Sequence, residues 1–101
     1  MALFNRKDYV AAAPHLEKAI SLGMQDAHLH NYLGICYSRT NRLEKAVRSY
    51  QAALKLDPRL AEAHLNLAFA LQRTQKPTTA ETEYKAACQL DEKLCQFVPH
   101  Q

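Results

Sequence analysis

Along most of this chain, apolar and small residues recur three and four positions apart. His30, Leu33, Gly34 and Tyr37 form one such row, and Ala46, Tyr50, Ala53 and Leu54 form another. That spacing places each row on one face of an amphipathic helix. Between the two rows lies "RTNR", and the corresponding stretch further on reads "RTQKP". Asn41 suits a helix end, where a left-handed residue is wanted, and Pro77 suits the first turn of a helix, where its missing N–H costs nothing. Pro58 stops the second helix of the pair and sets the angle to the next pair. The pattern therefore predicts a helix, a tight turn and a second antiparallel helix, closed by "LDP" the first time and "LDE" the second.

The pattern repeats with a period of 34 residues. Residues 27–60 laid over 61–94 match at Ala27/Ala61, His30/His64, Leu33/Leu67, Arg39/Arg73, Thr40/Thr74, Ala46/Ala80, Tyr50/Tyr84, Ala52/Ala86, Ala53/Ala87, Leu56/Leu90, Asp57/Asp91 and Leu60/Leu94. Gly34/Ala68 and Leu54/Cys88 are near matches. Agreement falls mainly on small and apolar positions, as it must if close packing sets it. Helices approach tightly only where side chains are small, at Gly34/Ala68, Ala46/Ala80 and Ala53/Ala87, while Tyr50/Tyr84 and Leu33/Leu67 fill the gaps beside them. The register also runs backward: in "KDYVAAAPHLEKAISLGM", residues 7–24, Ala12, Leu16 and Ala19 take the places of Ala46, Tyr50 and Ala53. Only "MALFN" is left for the first helix of that unit, and Pro14 inside its second helix predicts a bend.

These residues resemble the tetratricopeptide repeat, whose signature places Leu-Gly, then Tyr, then Ala, Tyr or Phe, Ala and Pro along a helix pair of this length. In the first full unit the match is Leu33-Gly34, Tyr37, Ala46, Tyr50, Ala53 and Pro58; in the second it is Leu67-Ala68, Leu71, Ala80, Tyr84 and Ala87, with Glu92 in place of the proline. His30 and His64 stand where the pattern has Trp. The resemblance implies an all-α fold in which antiparallel helix-turn-helix repeats stack as a right-handed α-solenoid. It divides the chain into one repeat domain, 1–94, made of a partial repeat at 1–26 and full repeats at 27–60 and 61–94, with a tail at 95–101.

Composition agrees with helices: two glycines and four prolines stand in 101 residues rich in Ala, Leu, Lys, Glu and Gln. One core is all that this length supports, so no separate catalytic domain is expected. The net charge of +3 sits in the middle third, where residues 27–60 carry six bases against two acids. That is too dilute for a nucleic-acid footprint, and an anionic polymer held by Arg39, Arg42, Arg48 and Arg59 is the weakest reading. The three cysteines, Cys36, Cys88 and Cys95, show no CxxC spacing, so a disulfide framework is not expected and a reducing, cytoplasmic setting is. Cys36 and Cys88 read as small hydrophobes, and Cys95 as the thiol open to oxidation. No stretch approaches the roughly 20 apolar residues of a membrane span, and the first ten residues lack the apolar middle of a signal peptide.

Candidate chemistry is sparse. His28 and His30 are two apart and point to different helix faces, so they are not the i, i+4 pair of a helical zinc site. His15 and His100 have no partner in sequence. Gly23 and Gly34 make no phosphate loop, and the carboxylates are scattered on helix surfaces. Neither a metal nor a cofactor is expected, and an enzyme reading finds no support.

What remains is a binding face. The resemblance implies that the first helix of each unit lines the concave side of the stack, which puts Asn31, Tyr32, Ile35, Ser38 and Arg39 in one row and Leu65, Asn66, Phe69, Gln72 and Arg73 in the next, with Phe4 and Asn5 continuing it. Amides can hold a peptide backbone, arginines can take carboxylates, and Tyr32, Ile35, Leu65 and Phe69 can anchor an apolar side chain. The expected partner is a protein or peptide segment that is apolar with some acidic character; neither nucleic acid nor membrane is expected. The competing reading of Arg39 and Arg73 is that they cap helix ends near their turns. The family's carboxylate clamp for acidic chaperone tails is incomplete, because Asn66 fits its second-unit Asn but Asn31 and Ile35 stand where its Lys and Asn belong. Solenoid ends need polar caps, and neither end of this sequence carries one. The alternative function is therefore a structural segment that stacks within a longer array or self-associates through its uncapped ends.

Overall fold

The computed structural model describes residues 6–74 and 76–98, with the side chains of residues 6, 7, 77 and 78 left undescribed. Among the described residues five α-helices succeed one another, α1 (Arg6–Ser21), α2 (Ala27–Arg39), α3 (Leu43–Leu56), α4 (Ala61–Arg73) and α5 (Pro77–Leu90), and a short 3-10 helix, Glu92–Phe97, closes the described chain. Among the described residues there is no strand. Contacts run mainly between helices adjacent in sequence, with α2 also touching α4, so the helices stack in chain order along a body of 41 × 27 × 25 Å. That is the one-dimensional packing of a solenoid.

The turns explain why consecutive helices fold back. At the end of α2, the Arg42 N–H donates to the Tyr37 carbonyl at 2.7 Å and the Asn41 N–H to the Ser38 carbonyl at 3.2 Å. Asn41 has φ of 64°, the left-handed residue that this Schellman arrangement requires. Gly23, at φ of 96°, does the same after α1, with Met24 N–H donating to the Ala19 carbonyl at 3.2 Å. After α4 the Lys76 N–H reaches the Leu71 carbonyl at 2.9 Å, and Pro77 opens α5. Asp26 caps α2 by accepting from the His28 N–H at 2.9 Å. α1 runs through Pro14 without interruption. Pro14 and the preceding Val10, whose carbonyl loses its intrahelical donor, are both exposed, so water can take that bond.

The core lies where small and large residues alternate. Ala46, Ala53, Ala63, Ala68 and Ala87 are all 0 % exposed, and between them lie Leu33, Tyr37, Tyr50, Leu67, Leu71 and Tyr84. At Gly34 a Cβ would sit 2.5 Å from Cε1 of Tyr50, so the tyrosine ring lies against the bare backbone of α2. The tyrosines also tie helices by their hydroxyls. Tyr37 donates to Glu17 of α1, and Tyr84 donates to Oε1 of Gln72 of α4 at 2.5 Å.

His64 is not only a repeat position shared with His30. Its Nδ1 lies 2.6 Å from Oε1 of Glu83 and its Nε2 lies 2.8 Å from the Pro58 carbonyl, so the ring pins α4 to α5 and to the turn before it. Nor are all the cysteines free. Cys88 of α5 and Cys95 of the 3-10 helix form a disulfide, leaving only Cys36 as a buried thiol. The spacing of seven carries no hint of this, because the chain turns back on itself after Leu90 and brings the two sulfurs together. The cysteines therefore no longer argue for a reducing compartment.

Candidate functional site

A cleft of about 510 Å³ runs between α2 and α4, lined by Ile35, Ser38 and Arg39 of α2, Tyr50 of α3, and Asn66, Phe69, Gln72 and Arg73 of α4. Its residues come from the predicted row because positions 35, 38 and 39 share a helix face with one another, and so do 66, 69, 72 and 73. The floor is apolar: Ile35, the Tyr50 ring and Phe69. Phe69 stands edge-on to Tyr84 and to Phe97, each at 5.6 Å between ring centroids, and remains 39 % exposed. The rim carries donors and no carboxylate. Gln72 has its carbonyl oxygen engaged by Tyr84, which leaves its amide N–H groups as donors. Such a site can seat an apolar side chain with an acidic or carbonyl group beside it.

Not every predicted residue lines it. Asn31 is only 3 % exposed, and its Oδ1 accepts from Nδ2 of Asn66 at 3.1 Å. It sits where α2 meets α4 and serves as half of an amide lock across that seam, so its amide is out of a ligand's reach. Arg73 is exposed but engaged: Nη1 donates to the Ser38 carbonyl at 3.3 Å and to Ser38 Oγ at 3.2 Å, and Nη2 to Asn41 Oδ1 at 3.4 Å. It caps the C-terminus of α2 from the neighbouring helix pair, which is the competing role for this arginine. Arg39 is exposed, with its guanidinium 6.0 Å from the Tyr9 ring centroid. Leu65 is half-buried against the core, and Tyr32, 59 % exposed, lies outside the cleft. Phe4 and Asn5 lie outside the described residues.

Tyr32 and Ile35 line a second hollow, of about 530 Å³, with Tyr9, Ala12, His15, Leu16 and Cys36, between α1 and α2. It is almost wholly apolar in its lining residues. A third, about 800 Å³, gathers Arg42, Lys45, Arg48 and Arg73 with Asn41, Leu43, Glu44 and Thr74 around the turns. Arg39 and Arg59, the other members of the anionic-polymer set, do not line it.

Tyr50 is absent from the predicted row because it belongs to the second helix of its unit. The signal was present in the pairing of Gly34 with Tyr50: where one helix lacks a side chain, the partner's ring can lie against its backbone and reach the seam with the next helix pair. Burial pushes the Tyr50 phenol well up, against smaller opposing effects led by its hydrogen bond to Ser38. Burial also raises the Cys36 thiol, which keeps it a packing group. Among the described residues no three His, Cys, Asp or Glu side chains gather as metal ligands, and no helix is long and apolar enough to cross a membrane.

Known proteins share this fold. No curated protein sequence matches the chain. Among solved structures, MamA from Desulfovibrio magneticus RS-1 is similar at 30 % identity and a TM-score of 0.79, over 86 % of this chain and 49 % of that one. MamA of strain AMB-1 is similar at 26 % identity and a TM-score of 0.80, over 86 % of this chain and 52 % of that one. YrrB, described as a tetratricopeptide repeat protein with an unusual peptide-binding site, shares the fold at 22 % identity and a TM-score of 0.81, over 90 % of this chain and 48 % of that one. The chain thus spans about half the length of the solved structures it matches. A family profile described as "TPR repeat" matches residues 37–75, and one described as "Tetratricopeptide repeat" matches 61–94. With the 34-residue register, the helix pairs and these matches in agreement, the chain belongs to the tetratricopeptide repeat family.

Proposed function

We propose that this chain is a non-catalytic scaffold that binds a segment of a partner protein in the cleft between α2 and α4. The observation that carries the reading is the lining of that cleft: an apolar floor of Ile35, Tyr50 and Phe69 under a rim of Asn66, Gln72 and Arg39 with no acid among its lining residues. The matching segment presents one large apolar side chain and, within a residue or two, a carboxylate for Arg39. In this reading the working unit is one repeat domain, with a partial repeat at 1–26, repeats at 27–60 and 61–94, and a tail at 95–101. The similarity to YrrB, whose description names a peptide-binding site, supports a peptide as the ligand class.

The test is selection from a displayed library of random peptides against the whole chain. Recovered sequences share an apolar residue next to Asp or Glu, and Phe69→Ala or Arg39→Ala lowers their affinity about tenfold or more, while Lys55→Ala on exposed α3 surface leaves it unchanged. Peptides that bind the cleft variants as well as the parent would remove the cleft from the reading. The second reading, self-association, is favoured by the apolar hollow between α1 and α2 with exposed Tyr32 at its edge. Light scattering decides it: a monomer across a wide concentration range removes it.

A further inference from the structure

The closing 3-10 helix lies along α5 through partly buried side chains and one covalent bond. It contains no buried residue, and each end is capped by a single bond, from the Lys93 N–H to Oδ1 of Asp91 at 3.0 Å and from the Val98 N–H to the Cys95 carbonyl at 3.1 Å. Phe97 is 40 % exposed and touches the fold through its edge-on contact with Phe69, and Val98 adds a half-buried contact with the core. One covalent link crosses back to the helical body: Cys95 of this segment to Cys88 of α5. Both cysteines are half-buried, so a small thiol can reach the bond, unlike Cys36, which is 4 % exposed.

We infer that Cys88 and Cys95 form a reversible dithiol–disulfide site whose state decides whether the 3-10 helix, with Phe97, stays seated on Phe69. The oxidant is a low-molecular-weight disulfide of the glutathione class. One protein thiolate attacks it, forming a mixed disulfide and expelling a thiolate that takes up a proton. The second protein thiolate then attacks the protein sulfur of that mixed disulfide, closing the Cys88–Cys95 bond and expelling the second small thiolate. Two protein thiols have lost two electrons and two protons, and the small disulfide has become two thiols. Reduction runs the same steps backward. With the bond open, the segment keeps the half-buried contacts of Leu94 and Val98, the Phe97 ring contact and a few local hydrogen bonds, none of them fully buried, against the chain entropy of a six-residue 3-10 helix. Releasing it bares the outer edge of Phe69. The inference stands whether or not the cleft binds a peptide.

The test takes the whole chain and its Cys95→Ser variant through buffers of fixed reduced-to-oxidised glutathione ratio. Alkylation with mass measurement counts free thiols, and amide hydrogen exchange reads residues 92–98 against α2 to α5. Under oxidising ratios Cys36 alone alkylates, after denaturation, and residues 92–98 exchange slowly. On reduction that segment exchanges about tenfold faster or more, with the helices unchanged. Cys95→Ser exchanges at the reduced rate at every ratio. Glutathione adducts on Cys88 and Cys95 without an internal bond would overturn the site. Equal exchange in the two redox states, or slow exchange in Cys95→Ser, would overturn its hold on the segment.

Discussion

Gly34 shows how much one position can govern. Its absent side chain lets the Tyr50 ring pass within 2.5 Å of where a Cβ would stand, and that ring is both core and floor of the cleft. The equivalent position in the next unit holds Ala68, fully buried in the same core as Tyr84, so the repeat itself tolerates a methyl there. At Gly34 the Tyr50 ring already fills that space, and a ring is not a flexible chain end that can swing away. Gly34→Ala is expected to cost about 1–3 kcal/mol by overpacking, offset in part by about 1 kcal/mol of gained helix propensity. Urea unfolding measures it. An unchanged midpoint would mean that α2 and α3 relax around the methyl at no net cost.

At the scale of elements, turns matter more than caps. Neither α3 nor α4 nor α5 has a side-chain N-cap bond, whereas the turns after α1, α2 and α4 each carry the same pair of backbone closures or its outer bond. Asn41 is the one non-glycine residue at positive φ among the described residues, and it also accepts from Arg73. Asn41→Ala is therefore expected to lower stability by about 1 kcal/mol, because alanine lacks the local side-chain hydrogen bonding that lets asparagine tolerate a left-handed backbone. Asn41→Gly should stay near the parent, since it relieves the backbone while losing a long, exposed hydrogen bond. A thermal melt of the two variants separates backbone strain from the Arg73 contact: equal losses in both would assign the effect to Arg73.

For the molecule as a whole, the tyrosines make a shared pH dependence. Tyr37 bridges α2 to α1, Tyr50 lies between α3 and α2, and Tyr84 bridges α5 to α4. Burial raises all three phenols, and for Tyr37 the adjacent Glu17 carboxylate adds to it, pushing its value up to about 12. In the unfolded chain a tyrosine ionises near about 10. Above that pH the unfolded state gives up protons that the folded state keeps, so the folded state binds more protons and stability falls as pH rises. The stabilisation is complete below about 10 and is lost as pH climbs toward about 12 for Tyr37. Denaturant midpoints across that window should fall steeply, and Tyr37→Phe should make the fall shallower. A flat profile would show that the phenols ionise alike in both states.

The order of helices, their faces and the turns between them were all legible in the chain, because each rests on short-range physics: a three-to-four spacing, an Asn41 suited to a helix end, a Pro77 suited to a first turn. The repeat added the alternation of small and large core residues, since one unit checks the other. Exposure was a different matter. The helix face that holds Asn31 was readable, but its burial depends on α4 pressing its own Asn66 against it from 35 residues away. Arg73 was found as a cation on the right face, yet Ser38 and Asn41 of the neighbouring pair claim it. Tyr50 reached the cleft only because α2 is bare at Gly34. The Cys88–Cys95 pair exists because the chain reverses after α5. Periodicity reports on one helix at a time; which side chains stay free for a partner is settled by the second helix that lands on them.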